Sequence, residues 1–538
     1  MRRIVFVSAC LVSATLPPAL FGQVLDAPVR YEADFPSPDF HRSRRNAVMA
    51  ALPENGVAVL FGAPTRNRSN DVSYEYRQSS DFLYLTGSSE PGSALILAPA
   101  GVDIDGVTVR EILFVPPRDP AQEVWLGRRF GTARAMEQLG VALALDATRF
   151  AEVVGPLLQS DGHRIFHLDL PQGVEDGSEL ADQLDTFLTY QEPLVISDGG
   201  ITGFVLQGML TARTPDAFAR MRGIASRGFS AGTVSDPVLR EAASAFLAAG
   251  SVDSWNEQRS ELLRGRPDGT TLRSVLDDLR AIKTDEELAA LRKAIDITAE
   301  AHREVMQQVS AGWTEYEIEA LIEYTFKRNG AEYTGFPSIV GSGENSVILH
   351  YETNRRTTTA GDVIVIDIGA EYRGYSADVT RTIPVGGAYS AEQKLIYELV
   401  FRAQDAGIAA TLAGSPFGAP HQAAAQVLAA GLAELGLIQS PADQAGLRRF
   451  FMHGTSHYLG LDVHDVGTGG PMEPGTVITV EPGIYIAASE DIDPRWWNIG
   501  VRIEDDILVT EAGPLILSSS APRRLEDVEA LMKRPASF

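Results

Sequence analysis

The chain has 538 residues, of which 44% are apolar and 22% charged, and it carries a formal net charge of −25 with a pI near 4.8. This length predicts two or three globular domains. The strong negative charge argues against nucleic-acid binding as the main activity, because phosphate backbones are bound by basic surfaces.

The first 22 residues are predicted to be a secretory signal peptide. Arg2 and Arg3 precede an apolar run over residues 4–16, which is typical of exported proteins and too short to span a bilayer comfortably. We therefore expect a periplasmic or secreted protein that is cleaved near Gly22. Cys10 is the only cysteine and lies in a lipoprotein-like stretch, so membrane association is expected only if the chain is lipid-anchored.

Residues 31–272 are predicted to form an α/β domain. A helix is expected over residues 34–52, and apolar runs predict strands at 57–62, 94–98 and 111–115. Alternating helical and β patterns continue to about residue 198.

A second domain is predicted over residues 275–538. It begins with a long amphipathic helical region over 277–309, in which Thr284 and Glu287 form a capping box that predicts a helix start. The preceding stretch, 199–268, has weak periodicity and is interpreted as a possible insertion in the first domain, without an assigned role.

Two stretches of the second domain share one pattern. Residues 361–369 read GDVIVIDIG and residues 475–483 read GTVITVEPG. The β-branched residues predict a buried strand and the closing glycine predicts a turn. Because an unpaired carboxylate at the end of a buried strand is costly, we interpret Asp367 and Glu481 as directed at one shared cation site.

Further acids and histidines extend this candidate site. A turn over 372–375 is expected to return Asp378 beside Asp367, and Glu504 is placed in a predicted strand over 501–509, on the same face as Arg502. His453, His457 and His464 fall within twelve residues, and His350 follows an apolar run. Carboxylates with an imidazole favour two divalent ions such as Mn²⁺ over a structural zinc site, which prefers sulfur.

These segments resemble the pita-bread metallopeptidases, and among them the aminopeptidase P (Xaa-Pro aminopeptidase) family. The resemblance rests on GSGEN at 341–345, HY at 350–351, SADVTRT at 376–382, FMHGTSH at 451–457, LGLDVHDVG at 459–467, EPG at 481–483 and RIEDD at 502–506. In the first half, residues 76–82 and 123–129 resemble the creatinase-like domain of the same enzymes. The resemblance implies an α/β N-terminal creatinase-like domain followed by an α+β pita-bread catalytic domain.

The resemblance also implies roles for individual residues. Two divalent ions, Mn²⁺ with Zn²⁺ or Co²⁺ as alternatives, would be held by Asp367, Asp378, His457, Glu481 and Glu504, with Asp378 and Glu504 bridging. Catalytic roles are implied for His350, His453, His464, Glu481 and Arg502. Substrate-binding roles are implied for Trp125, Asp71 and Tyr485; the first two would reach a neighbouring subunit's site, which implies a homo-oligomer, a dimer or tetramer.

The expected activity is hydrolysis of the bond between an N-terminal residue and proline, in peptides with proline at position two. A prolidase, which cleaves Xaa-Pro dipeptides with the same ligands, remains the alternative. A non-catalytic binding module is less favoured, because all five ligands are present. The chain departs from the family pattern in a short loop at 466–474 that lacks an expected arginine, in Leu83, which replaces an aromatic residue, and in the stretch 199–268.

Overall fold

The computed structural model describes residues 29–30, 33–191, 196, 198–212, 214–262 and 266–533. The predicted signal peptide lies outside these residues. Within the part of the chain that is described, no helix combines the length and the apolarity needed to cross a membrane.

The N-terminal part is a mixed five-stranded sheet with flanking helices. Its elements are α1 (Pro38–Ala51), β1 (Gly56–Phe61), β2 (Asn67–Ser69), β3 (Val72–Ser73), α2 (Ser80–Thr86), β4 (Ala94–Ile104), β5 (Val107–Val115), α3 (Pro120–Leu126), α4 (Gly131–Leu139), β6 (Ala144–Asp146), α5 (Phe150–Gln159), β7 (Arg164–His167) and α6 (Glu179–Tyr190). The sheet has the order β6-β5-β4-β1-β7, and β1 runs antiparallel to β4 and parallel to β7. The small hairpin of β2 and β3 stands apart from this sheet.

The three strands predicted in this part are present as β1, β4 and β5, and the last two are longer than predicted. The start predicted for the first helix, residue 34, is wrong. The helix begins at Pro38 because the Ser37 side chain accepts a hydrogen bond from the Phe40 N–H and caps the helix there.

The stretch between residues 199 and 268 is helical and has a hydrophobic core of its own. It contains α7 (Gly200–Thr211), α8 (Pro215–Ala225), α9 (Pro237–Ala248) and α10 (Val252–Leu262). Trp255, Phe246 and Leu239 are buried at the centre of that core. These helices therefore form a small unit whose hydrophobic core is separate from that of the N-terminal sheet.

The C-terminal part combines helices with several short antiparallel sheets. Its elements are α11 (Thr271–Ala281), α12 (Asp285–Gln308), α13 (Glu315–Arg328), β8 (Tyr333–Thr334), β9 (Ile339–Ser342), β10 (Val363–Ile368), β11 (Ala370–Tyr372), β12 (Tyr375–Ser376), β13 (Val379–Pro384), α14 (Ala391–Ala409), α15 (Ala419–Glu434), α16 (Gln444–Phe450), β14 (Val477–Val480), β15 (Gly483–Ile486), β16 (Ile499–Arg502), β17 (Asp505–Thr510), β18 (Gly513–Ile516) and α17 (Leu525–Met532). β10 lies between β13 and β9, and β17 lies between β14 and β18.

The helical region predicted over 277–309 consists of two helices. The break falls where Thr284 caps α12 through the predicted capping box with Glu287. α11 runs without interruption across the predicted domain boundary at residues 272–275. One hydrophobic cluster joins Leu97 of β4 to Ile364 of β10, so the two parts share a core.

Candidate metal centre

The two repeated stretches form β10 and β14 and bring their acids to the same region. Asp367 is the fifth residue of β10, and Glu481 directly follows β14. The loop that carries His457 runs beside β14, because the Thr479 N–H donates to the His457 carbonyl at 3.0 Å and the Glu481 N–H donates to the Thr455 carbonyl at 2.8 Å. The chain therefore holds the imidazole and the Glu481 carboxylate side by side.

The other two acids precede the strands that pair with β10 and β14, since Asp378 lies before β13 and Glu504 before β17. The predicted turn returns the chain antiparallel to β10, so that Asp378 stands just before β13 and Ile368 pairs with Val379. The prediction that Glu504 lies within a strand is wrong. Glu504 lies between β16 and β17, where its N–H donates to the Thr380 carbonyl at 3.1 Å instead of continuing a ladder.

The ligand atoms converge in a buried cluster. One atom from each of Asp378, His457 and Glu504 lies within 4.8 Å of the other two. The His457 Nε2 atom is 3.2 Å from the Asp378 Oδ2 atom and 3.9 Å from the Glu481 Oε1 atom. Asp367 joins this group, because its charge acts on each of the other three carboxyls.

Three of these carboxyls are shifted towards their protonated forms. Burial raises the pKa values of Asp378, Glu481 and Glu504. The charges of neighbouring acids raise them further, whereas His457 and Arg502 partly oppose the shift at Glu481. Three buried carboxylates and the partly buried Glu481 repel one another and need a compensating cation.

An unpaired oxygen supports the same conclusion. Among the described residues, the buried Oδ1 atom of Asp367 has no hydrogen-bond partner, while its Oδ2 atom accepts from the Arg502 Nη2 atom at 2.6 Å. A buried carboxylate oxygen without a donor is costly, and a divalent cation is a suitable partner for it. The donor set therefore fits a site for divalent metal ions.

The orientation of His457 also suits a metal ligand. Its Nδ1 atom lies 2.9 Å from the Tyr458 carbonyl oxygen, which can only accept, so we assign the proton to Nδ1. The Nε2 lone pair is then left free on the side of Asp378. A ligating histidine commonly has its other ring nitrogen held in this way.

A hydrogen-bonded chain links Arg502 to His453 through Tyr485. The Arg502 Nη1 atom donates to the Tyr485 hydroxyl at 2.9 Å, and this hydroxyl lies 2.8 Å from the His453 Nε2 atom. The other nitrogen of His453 contacts the Gly454 carbonyl at 2.6 Å. Burial and the Arg502 charge lower the pKa of His453 to about 4, so this imidazole is neutral and both of its nitrogens are engaged by the protein.

His464 and His350 are exposed and close to the centre. The His464 ring lies 4.2 Å from the His457 ring, centroid to centroid. Partial desolvation of the ring and the charges of His457 and His350 lower the pKa of His464. Among the described residues, neither ring forms a hydrogen bond with the protein, which leaves both free to bind a substrate.

Two residues that support the site were not identified from the sequence. The Thr380 hydroxyl donates to the Glu504 Oε2 atom at 2.6 Å. Arg381 donates to the Glu504 carbonyl oxygen at 2.6 Å and forms a fully buried ion pair with Asp505 at 2.7 Å. Both lie in the SADVTRT segment. Their closeness to Asp378 in the sequence is the feature that could have indicated their role.

The structure does not bring Trp125 and Asp71 to the centre within one chain. Trp125 lies on α3 with 85% of its surface exposed, and Asp71 is exposed in the β2–β3 hairpin. Among the described residues, neither forms a hydrogen bond or ion pair with the carboxylate cluster. Tyr485, by contrast, lies inside the site.

Comparisons with known proteins agree with this architecture. Residues 289–511 match the model of metallopeptidase family M24, and residues 41–166 match the model of the aminopeptidase P N-terminal domain. The Xaa-Pro aminopeptidase of Escherichia coli (strain K12) is 34% identical over 503 residues, which cover 92% of this chain and 97% of that protein.

Solved structures give the same result. The aminopeptidase PepP of Pseudomonas aeruginosa is 32% identical, with a TM-score of 0.72 and coverage of 93% of this chain and 99% of that one. The aminopeptidase P of E. coli with the inhibitor Pro-Leu is 33% identical, with a TM-score of 0.72 and coverage of 93% and 98%. The predicted two-part fold class is confirmed by these matches.

Proposed function

The chain belongs to metallopeptidase family M24 and carries an aminopeptidase P N-terminal domain, and we propose that it is a metal-dependent Xaa-Pro aminopeptidase. It is a hydrolase that releases the first residue from peptides with proline at position two. The buried cluster of Asp378, His457 and Glu504, with Asp367 and Glu481 beside it, is the observation that carries this proposal. A non-catalytic module would have no reason to keep these costly groups together.

Asp367, Asp378, His457, Glu481 and Glu504 would hold two divalent ions. Bound ions supply Lewis-acid polarisation and lower the pKa of water in the site. The carboxylates beside the cluster attract the protonated α-amine of the peptide, which favours cleavage at the N-terminus. The fold thus supplies both the donor set and the charge that selects an exopeptidase substrate.

Glu481 is the residue that we propose as the proton carrier. Its Oε1 atom is 3.9 Å from the His457 Nε2 atom, at the edge of the cluster, where a carboxylate can take a proton from water and return it to the leaving proline nitrogen. His350 and His464, whose ring nitrogens are free of protein partners among the described residues, donate to the oxygen of the scissile carbonyl as negative charge develops. We propose that His453 also acts on the scissile peptide, since its Nε2 atom lies 2.8 Å from the Tyr485 hydroxyl and its Nδ1 atom 3.6 Å from the Glu481 Oε2 atom.

Full-length similarity favours an aminopeptidase over a prolidase. The E. coli enzyme covers nearly this whole chain and has been solved with Pro-Leu, a dipeptide with a residue beyond proline. The test compares an Xaa-Pro dipeptide with an Xaa-Pro-Yaa tripeptide on the metal-loaded enzyme. We expect faster release of the first residue from the tripeptide, whereas cleavage confined to the dipeptide would identify a prolidase.

The identity of the metal is a further part of the proposal. Four carboxylates and one imidazole form an oxygen-rich set without sulfur, which favours Mn²⁺ over Zn²⁺ and Co²⁺. Elemental analysis of the purified enzyme and reactivation of the metal-free enzyme with each ion test this choice. Higher turnover with Zn²⁺ than with Mn²⁺ at equal occupancy would contradict it.

We also propose a homo-oligomer in which Trp125 and Asp71 approach the site of a neighbouring subunit. Support comes from the position of Trp125, which is flanked on α3 by the exposed residues Val124 and Leu126. A monomeric mass in sedimentation experiments would refute the assembly. Trp125→Ala should raise the KM for the peptide and leave the metal content of the enzyme close to that of the wild type.

Export is proposed from the basic and apolar pattern of the first 22 residues alone. Mass spectrometry of the mature protein should find a new N-terminus near Gly22. Intact Met1 on a cytoplasmic protein would contradict export, and an acylated Cys10 would indicate the lipid-anchored alternative.

A further inference from the structure

Asp465, the residue after His464, is the centre of a buried ion cluster outside the predicted site. Its side chain is 1% exposed. One carboxylate oxygen binds the guanidinium of Arg280, and the other accepts from the Lys283 Nζ atom at 3.1 Å. Both cations are themselves buried, at the end of α11 and just after it. Two buried cations on one carboxylate fix its position.

Arg280 connects this carboxylate to the N-terminal part of the molecule. Its Nη1 atom donates to the Asp81 Oδ1 atom at 2.7 Å, and its Nη2 atom donates to the Asp462 Oδ2 atom at 2.7 Å. Arg273 also binds Asp81, with its Nη2 atom 2.9 Å from the Oδ1 atom. Arg273 also donates to the Asp277 Oδ1 atom at 2.7 Å, so three cations face four carboxylates between α2, α11 and the loop that carries His464.

The same loop holds the predicted metal ligand. The Asp465 N–H donates to the Tyr458 carbonyl oxygen at 2.9 Å. That carbonyl oxygen also accepts the Nδ1 proton of His457 at 2.9 Å. A displacement of Asp465 therefore moves the acceptor that orients His457, and it moves the adjacent His464 directly.

We propose that Arg280 and Lys283 are positioning residues that fix the imidazoles of His457 and His464 through Asp465. Neither matched family model includes them, since they lie between residues 166 and 289. Without Arg280, the Asp465 and Asp462 carboxylates would lose their shared cation and move towards water. The inference rests on the proposed metal centre, but it concerns the orientation of the ligands and not the substrate.

Arg280→Gln and Arg273→Gln form a matched pair for the test. Each variant removes one guanidinium from Asp81, but only Arg280 contacts Asp465. We expect Arg280→Gln to weaken binding of Mn²⁺ to the metal-free protein by roughly tenfold, the lower end of the range found when the partner of a ligating histidine is lost, because Arg280 acts on that partner through Asp465. The kcat of the metal-saturated variant should fall with little change in KM. Arg273→Gln should keep the wild-type metal affinity.

Titration calorimetry with Mn²⁺ alone gives the affinity without a peptide, so this readout stands even if the protein does not cleave Xaa-Pro bonds. Equal metal affinities for the two variants and the wild type would overturn the proposal. Equal losses of metal affinity in Arg280→Gln and Arg273→Gln would also overturn it, because the ion cluster would then act only through the general stability of the protein. If Arg280→Gln does not fold, Lys283→Met, which loses its ion pair with Asp465, takes its place. A wild-type metal affinity in a folded Lys283→Met protein would also overturn the proposal.

Discussion

His464→Ala and His457→Ala separate a substrate-binding histidine from a metal-binding one. His464 is exposed, and its ring faces that of His457 at a centroid distance of 4.2 Å. Since it forms no hydrogen bond with the described residues, its removal should change the free energy of unfolding by no more than about 0.5 kcal/mol. The loss of one donor to the developing oxyanion should lower kcat by about 10²- to 10³-fold, or about 2.7–4 kcal/mol.

His457→Ala should behave differently. Its Nε2 atom is 3.2 Å from Asp378, inside the predicted ligand cluster, so the variant should lose bound metal together with activity. The assay measures turnover of an Xaa-Pro-Yaa peptide and metal content on the same preparations, with urea unfolding as a control for stability. If His464→Ala loses metal as readily as His457→Ala, then His464 is a ligand or a structural support, and its assigned role is wrong.

Three further variants test the interactions around the centre. Tyr485→Phe removes the hydroxyl that joins Arg502 to His453, and kcat should fall by roughly tenfold, since each buried polar group left unpaired costs about 1–3 kcal/mol. The control, Tyr397→Phe, loses a hydrogen bond away from the centre and should keep the wild-type kcat. Equal kcat values in the two variants would contradict the role of Tyr485. Asp505→Ala removes the carboxylate that pairs with the buried guanidinium of Arg381, and it should lower the free energy of unfolding by about 3–5 kcal/mol in urea denaturation. Asp491→Ala removes the exposed ion pair with Arg449 and should have little effect. Similar urea midpoints for the two variants would refute the burial argument. Burial lowers the pKa of His41 to about 4, below its unfolded value near 6.5. The unfolded chain therefore takes up the proton first, and stability is lost as pH falls from about 6.5 to 4. His41→Gln should reduce this loss by up to about 1.4 kcal/mol per pH unit, and an unchanged dependence of the unfolding free energy on pH would refute the assignment.

Local sequence patterns were sufficient to place Asp367 and Glu481. Asp367 lies in the last part of an apolar, β-branched run and Glu481 directly follows another, and such runs predict buried strands. The position of Asp378 followed from the turn between two strands. Glu504 was misplaced because the apolar pattern continues across the break between β16 and β17, and only contact with Thr380 interrupts the ladder there.

Contacts between residues distant in the sequence were not predictable from local patterns. Arg502 binds Asp367 across 135 positions, and Arg280 binds Asp465 across 185. These pairs depend on how whole sheets and helices pack together, which periodicity does not encode. The contact between the His453 Nε2 atom and the Tyr485 hydroxyl, across 32 positions, depends on packing in the same way.

Metal titration of the metal-free protein, with release of the first residue from an Xaa-Pro-Yaa peptide as the readout, tests the central claim most directly. The wild type should be inactive without metal and reach full activity near two equivalents of divalent ion. Asp378→Asn should stay folded with little activity at any metal concentration, because a neutral amide is a poor bridge between two cations. Wild-type rates in the metal-free protein, or full activity of Asp378→Asn, would contradict a carboxylate-held metal centre as the catalyst.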